Sequence, residues 1–277
     1  MTVENLNLGN AKANKEIREK HIPSTIQADT LFTFTPRLEY LMSMLKNKRI
    51  SARYCEEDLS YLKIQNLKKI ALPMKCFCDI NIHRLEVHLG CYGYYGLAFE
   101  KEWGMKKGLQ SMQYVNPHSN LIRDFAEAFS IAMGLEVQNE DSPQAKMQNF
   151  LLHELMYYKP YSGSIKNRVT EKFQEKCFTD ECEWRYIPKV SMFGFHQILV
   201  DEQIINFGSL DTLNRSLEKI DDVALSFNCE DLKYIIIEKE EDYKELLDVI
   251  KEMDITHDEK YLLVSKIIIW EKLRGDL

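Results

Sequence analysis

The chain has 277 residues, of which 45% are hydrophobic and 29% charged, the balance of a soluble globular protein with room for a sizeable core. Its formal net charge of −7 argues against general binding to nucleic-acid backbones, and short basic pairs such as Lys68-Lys69 and Lys106-Lys107 are too small to reverse that. No apolar run approaches the roughly 20 residues of a membrane span. Seven cysteines form an odd set without a disulfide framework, which points to a reducing cytoplasm.

Residues 1–29 are polar and mixed in charge, unlike a signal peptide, and read as a flexible arm before a single α+β domain over 30–277. Residues 30–35 (TLFTFT) form a β-rich run. In the following PRLEYLMSMLKNKRI, Leu38, Leu41, Met42 and Leu45 recur at helical spacing behind Pro36. KKIALPMKCFCDI (68–80) reads as a buried strand broken by Pro73, then NIHRLEVHLGCYG as a helix ended by Gly90 or Gly93. YGLAFEKEWG reads as a strand reaching a turn at Gly104, and LQSMQYV as another strand. Residues 120–158 hold two helices separated by NEDSPQ, a helical insertion, and KPYSGSIKNR (159–168) reads as a loop. GFHQILV and DLKYIIIE follow as strands, EDYKELLDVIKEM as a helix, and KYLLVSKIIIWEKL as a last strand.

FTDECEWRYIP (178–188) carries the densest chemistry. At period two it places Cys182, Trp184 and Tyr186 on one face and Glu181, Glu183 and Arg185 on the other, with Pro188 ending the strand. Two readings stand: a half-buried strand with a solvated, salt-bridged outer face, or a cleft wall on which two carboxylates and a guanidinium converge. Asp79 is either a helix cap or a catalytic carboxylate, and His88 either a packed histidine or a site residue. Tyr92, Tyr95 and Trp103, with glycines between them, suit a planar ligand or equally a buried strand. Cys76 and Cys78 lack a second ligand pair at zinc spacing, so no metal site is expected.

PMKCFCDI, His88, YGYYGLAFEKEWGMKKG and ECEWRYIP together resemble the AbiGi-type abortive phage resistance proteins over most of residues 30–188, with a weaker echo in DLKYIIIE and SKIII. That family is labelled an antitoxin. The resemblance implies a cytoplasmic antitoxin or regulatory partner of a co-encoded toxin, with no required cofactor and with homo-oligomerisation compatible. More distantly, TLFTFT with its helix and the Glu181-x-Glu183 strand resembles the ADP-ribosyltransferase core. That likeness implies a mixed sheet and an alternative function as a NAD-consuming effector. Glu183 would stabilise an oxocarbenium-like centre, Glu181 would orient the acceptor, and Arg185 would bind a glutamate or a pyrophosphate. The first-strand His or Arg of that core is absent, and Arg53 downstream is the candidate substitute. On this reading, Glu183→Gln would keep the fold.

Overall fold

The computed structural model describes residues 27–200 and 205–277, so the arm reading for 1–29 falls almost entirely outside the described residues. Strand β1 (Thr30–Thr35) leads through Pro36 into helix α1 (Leu38–Asn47). Then come β2 (Arg49–Ile50), β3 (Arg53–Asp58), β4 (Lys69–Cys78), α2 (Leu85–Tyr92), β5 (Tyr95–Glu100) and α3 (Lys101–Lys106). Short strands β6 (Gln110–Ser111) and β7 (Gln113–Val115) precede helices α4 (Asn120–Met133) and α5 (Pro143–Tyr157). Strands β8 (Tyr158–Pro160), β9 (Ser162–Lys166), β10 (Phe173–Cys177) and β11 (Glu183–Tyr186) follow. The remainder is α6 (Phe207–Leu217), β12 (Leu225–Ser226), β13 (Leu232–Ile237), α7 (Glu240–Glu252), α8 (His257–Ser265), β14 (Ile267–Ile269) and α9 (Trp270–Leu273).

The main sheet runs β14-β13-β5-β1-β4-β11-β6, with β3 also on β4. Its ladders are antiparallel except β13–β14, so the sheet is mixed and the class α+β. Residues 30–35, the CFC segment, YGLAFE and EWRY therefore share one sheet. Period-two alternation divides its faces. Leu31, Leu97, Phe99, Ile235 and Ile237 pack on Leu41 and Leu45 of α1 and on Leu246 and Ile250 of α7. The other face carries Phe32, Phe34 and Ala98 against Leu85 and Leu89 of α2, and Ile70, Leu72 and Met74 of β4 against α4 and α5.

The two inserted helices form where the polar break ends. Ser119 caps α4 by accepting from the Ile122 N–H. Ser142 caps α5 by accepting from the Ala145 N–H, with Pro143 at the first helical position. Buried Ile122, Phe125, Phe129, Leu151 and Leu155 then face β4.

Several local expectations are corrected. Strand β4 is unbroken at Pro73. Ala71 exchanges both backbone bonds with Leu199, so the donors of residues 71 and 73 point to that side, and the N–H missing at Pro73 costs no bond to β3. LQSMQYV is two short strands separated at Met112, whose N–H goes to the Glu183 carbonyl. KPYSGSIKNR is not a loop, because β9 pairs with β10. GFHQILV contributes only the Ala71–Leu199 bridge, since Gln197 spends its side chain on Val190 N and Pro188 O. KYLLVSKIIIWEKL is mainly helical: Thr256 and Glu259 form a capping box that starts α8, leaving three residues for β14. Among the described residues, no helix is long and apolar enough to cross a membrane.

Gly93 ends α2 at φ 112°, and a Cβ there would stand 2.3 Å from the Thr35 carbonyl oxygen and 2.4 Å from Pro36 Cα. Gly108 also has positive φ, 78°, but faces open space. Gly108→Ala is expected to lose about 1–2 kcal/mol from its backbone conformation alone. Gly93→Ala must lose distinctly more, read by chemical denaturation; equal losses would contradict this placement of α2 against β1.

Candidate functional site

The charged strand β11 pairs with β4, Glu183 opposite Cys78 and Arg185 opposite Cys76. Its charged side chains therefore lie on the β4 face that carries Met74, beneath the helical insertion. The face is neither solvated nor open: Glu183 is 5% exposed and Arg185 1%. Trp184 and Tyr186, half-buried, pack on the opposite core. Glu181 is not on the strand. It ends a 3-10 turn (Phe178–Glu181), and Cys182, at φ 42°, turns the chain from there into β11.

Burying these charges is tolerable only if they are paired. Glu183 Oε1 accepts from Arg185 Nε at 2.6 Å, and its Oε2 lies 2.5 Å from Lys159 Nζ. Lys159 also donates to Glu181 Oε2 at 2.8 Å. Glu181 Oε1 is 2.8 Å from Lys176 Nζ and accepts from the Tyr92 hydroxyl. Arg185 reaches Glu57 Oε2 on β3 at 2.9 Å and the Met156 carbonyl at 2.9 Å. Met156 lies in the last turn of α5, whose carbonyls lack helical partners, so a guanidinium there satisfies both a hydrogen bond and the helix dipole. The Tyr114 hydroxyl accepts the Glu183 N–H at 2.8 Å. Acid and base thus alternate: Lys176, Glu181, Lys159, Glu183, Arg185, Glu57.

The protonation states follow. Burial alone would raise the Glu183 carboxyl, but Arg185 and Lys159 hold it well below the usual carboxylate range. Glu181 is lowered too, Lys159 and Lys176 overcoming its burial. Lys159 and Arg185 are raised in turn, each by Glu183 against its own burial. The His88 ring lies 4.5 Å from that of Tyr92 and 5.7 Å from that of Phe34, tilted against both, and its buried Nδ1 is unpartnered. Burial and Lys176 push it down to about 3, so it is neutral.

The structure thus gathers Glu181, Glu183, Arg185, Tyr92 and His88, and leaves the other candidates elsewhere. Arg53 is exposed and pairs with Glu218 at 2.6 Å. Asp79 is buried 2.7 Å from Lys101 Nζ, its carboxyl raised by burial against that lysine. It is not a helix cap. Tyr95 donates to Asp242 on α7 at 3.1 Å. Trp103 stacks on Phe99 at 4.1 Å within the opposite core. The sequence reading missed Lys159, Lys176, Glu57 and Tyr114. Two of them, Lys159 and Lys176, come from the β8–β10 segment, whose first part was read as loop.

Two predictions follow from this network. Glu183→Gln leaves Lys159 and Arg185 short of a buried counter-charge and is expected to cost about 3–5 kcal/mol, in contrast to the fold-neutral outcome expected from sequence. An unchanged denaturation midpoint would contradict the pairing. The pH dependence has a definite sign. His88 falls from 6.5 to about 3 on folding, so in that interval the unfolded chain binds more protons and stability is lost as pH falls. Glu181 and Glu183 are held below 4.5, so the stability they contribute above that value is lost as pH falls further. Denaturation midpoints should decline below pH 6.5 and more steeply below 4.5, and His88→Phe should remove the first decline. A profile unaltered by that substitution would contradict a buried neutral His88.

The chain is similar to known proteins across this region. Residues 48–238, which span the segments supplying Glu57 through Arg185, match the family model described as "Putative abortive phage resistance protein AbiGi, antitoxin". The chain is 30% identical over 243 residues to "Abortive phage resistance protein AbiGi" of Lactococcus lactis subsp. cremoris, covering 81% of this chain and 98% of that protein. No solved structure matches it. On the extent of both matches, the chain belongs to the AbiGi family of abortive phage resistance proteins.

Proposed function

We propose that the chain acts in phage defence by binding a protein, as the antitoxin or regulatory partner of a toxin encoded beside it and in the same cytoplasm. The observation that carries this reading is the outward face of the α4–α5 insertion. Buried residues hold the pair to β4, while Leu121, Ile131, Leu135, Met147 and Phe150 point outward, Ile131 and Phe150 each 60% exposed. Asp124, Glu127, Glu136, Glu140 and Asp141, all exposed on α4 and the link to α5, outnumber the exposed Arg123 and Lys146 of the same segment. Apolar side chains on an acidic segment suit a partner with an apolar centre and a basic edge. The family description supplies the word antitoxin.

The NAD-consuming alternative, with an ADP-ribosyltransferase-like core, asks Glu183 to meet a ribose. Both of its carboxylate oxygens are bound here, and Glu183 would first have to release Lys159 or Arg185. The binding reading needs no cofactor.

Deleting this gene from its native locus should slow host growth without phage, and restoring the wild-type chain should relieve that. Restoring Ile131→Glu/Phe150→Glu should not, although its melting is unchanged because both positions face solvent. Association with the neighbouring gene product should weaken as salt rises. Full relief by the double variant would overturn the docking face. Unimpaired growth on deletion would overturn the antitoxin role, and NAD loss with purified wild-type chain would favour the enzymatic alternative.

A further inference from the structure

We propose that the cavity at the end of β4 and the start of β11 binds a small zwitterion, a free α-amino acid. Arg84 takes its carboxylate and Asp180 its ammonium. The cavity has a volume of about 170 Å³. Asp79, Ile80 and Arg84 line it from the β4 side, and Thr179, Asp180 and Cys182 from the turn that precedes β11. The Asp79 N–H joins the two walls by donating to the Cys182 carbonyl at 3.1 Å.

The carboxylate of Asp79 is already matched, buried 2.7 Å from Lys101 Nζ. The charges at the mouth are different. Arg84 and Asp180 are both exposed, and among the described residues neither side chain makes an ion pair or a hydrogen bond, with the other or with any neighbour. The Cys182 thiol donates to the Thr179 carbonyl at 3.4 Å. Burial raises this thiol, and after burial the charges of Asp79, Arg84, Asp180 and Lys101 act on it, so both mouth charges gather near one sulfur. The backbone on each side is fixed. Arg84 N donates to the Asn81 carbonyl at 2.8 Å, and Cys182 N donates to the Thr179 carbonyl at 3.2 Å.

Size and charge together select the ligand. Pockets for drug-sized ligands hold roughly 300–1,000 Å³, so a nucleotide is too large here. A cavity of about 150 Å³ takes a molecule of benzene's size, and a small amino acid is of that order. One unspent guanidinium and one unspent carboxylate at the same mouth call for a ligand with both signs. A simple anion would meet the repulsion of Asp180, and a simple cation that of Arg84. The guanidinium fork suits a carboxylate, which it can hold through two parallel hydrogen bonds. Thr179 and Asp180 share their turn with Glu181, so a filled cavity braces the turn that delivers Glu181 to Lys159 and Lys176. The site is separate from the α4–α5 docking face.

The test titrates the purified full chain, without any partner, with glycine, L-alanine and L-serine, following the heat of binding and the melting midpoint. Saturable binding of at least one of them is expected, with a midpoint that rises with its concentration. Arg84→Gln and Asp180→Asn should each weaken binding about tenfold or more. Without ligand both variants should melt as wild type, because the side chains are exposed and unpaired. The tightest binder is then offered in two blocked forms, N-acetylated to remove the ammonium and amidated to remove the carboxylate. Weakened binding of both forms supports the site. No saturable binding by any of the three, binding unchanged in either variant, or a blocked form that binds as well as its parent overturns the proposal. Because no partner is present, failure here is distinct from failure of the antitoxin reading.

Discussion

Glu183 lies between Arg185 and Lys159, and the arrangement of the surrounding elements follows from keeping these charges together out of water. An unpaired charge at such a depth would cost several kcal/mol, so each member of the chain from Lys176 to Glu57 is obliged to stay beside its neighbours. They come from separate segments: β3, β8, β10, the turn before β11, and β11 itself. The network therefore fixes how the helical insertion sits on the sheet. Lys159 follows α5 almost directly, and Arg185 caps the last turn of the same helix through Met156. Two apolar clusters meet the sheet on either side of this polar seam, one under α2 and one under α4 and α5.

A network of this kind is weak evidence for stability, because well-packed apolar residues could replace it at little cost. The observed register of β11 on β4 and placement of the β9–β10 hairpin bring every one of these charges to a partner. The sheet then holds the outer surface of α4 and α5 in a fixed position, as the proposed docking face requires. Rigid presentation lowers the ordering cost of association, so less of the contact energy is lost when a partner docks.

Much of the layout was legible in the sequence, for identifiable reasons. The apolar spacing of Ile122, Phe125 and Phe129, with Ser142-Pro143 between the two helices, announced the insertion because helix period and caps are local signals. The period-two division of β11 was also legible, and it correctly set Glu183 and Arg185 apart from Trp184. Which face met solvent was not, because that depends on Lys159 and Glu57, distant in sequence and brought in by tertiary structure. The same limit explains the misread segments. Ser162–Lys166 has the composition of a loop and becomes a strand only by pairing with Phe173–Cys177. The apolar run from residue 260 suggested a strand, yet the Thr256–Glu259 box starts a helix that takes in its first six residues. Tyr95 and Trp103 share the aromatic stretch with Tyr92, but strand alternation and α3 deliver them to the opposite core.

The central claim is that Glu183 and Lys159 act as one buried structural unit. The most direct measurement is a double-mutant cycle in chemical denaturation using Glu183→Gln, Lys159→Met and the double variant. The account predicts that the double variant is far less destabilised than the sum of the singles, with a coupling of about 1–3 kcal/mol. Additive losses, agreeing within about 0.5 kcal/mol, would show that the two residues do not depend on each other and would contradict it.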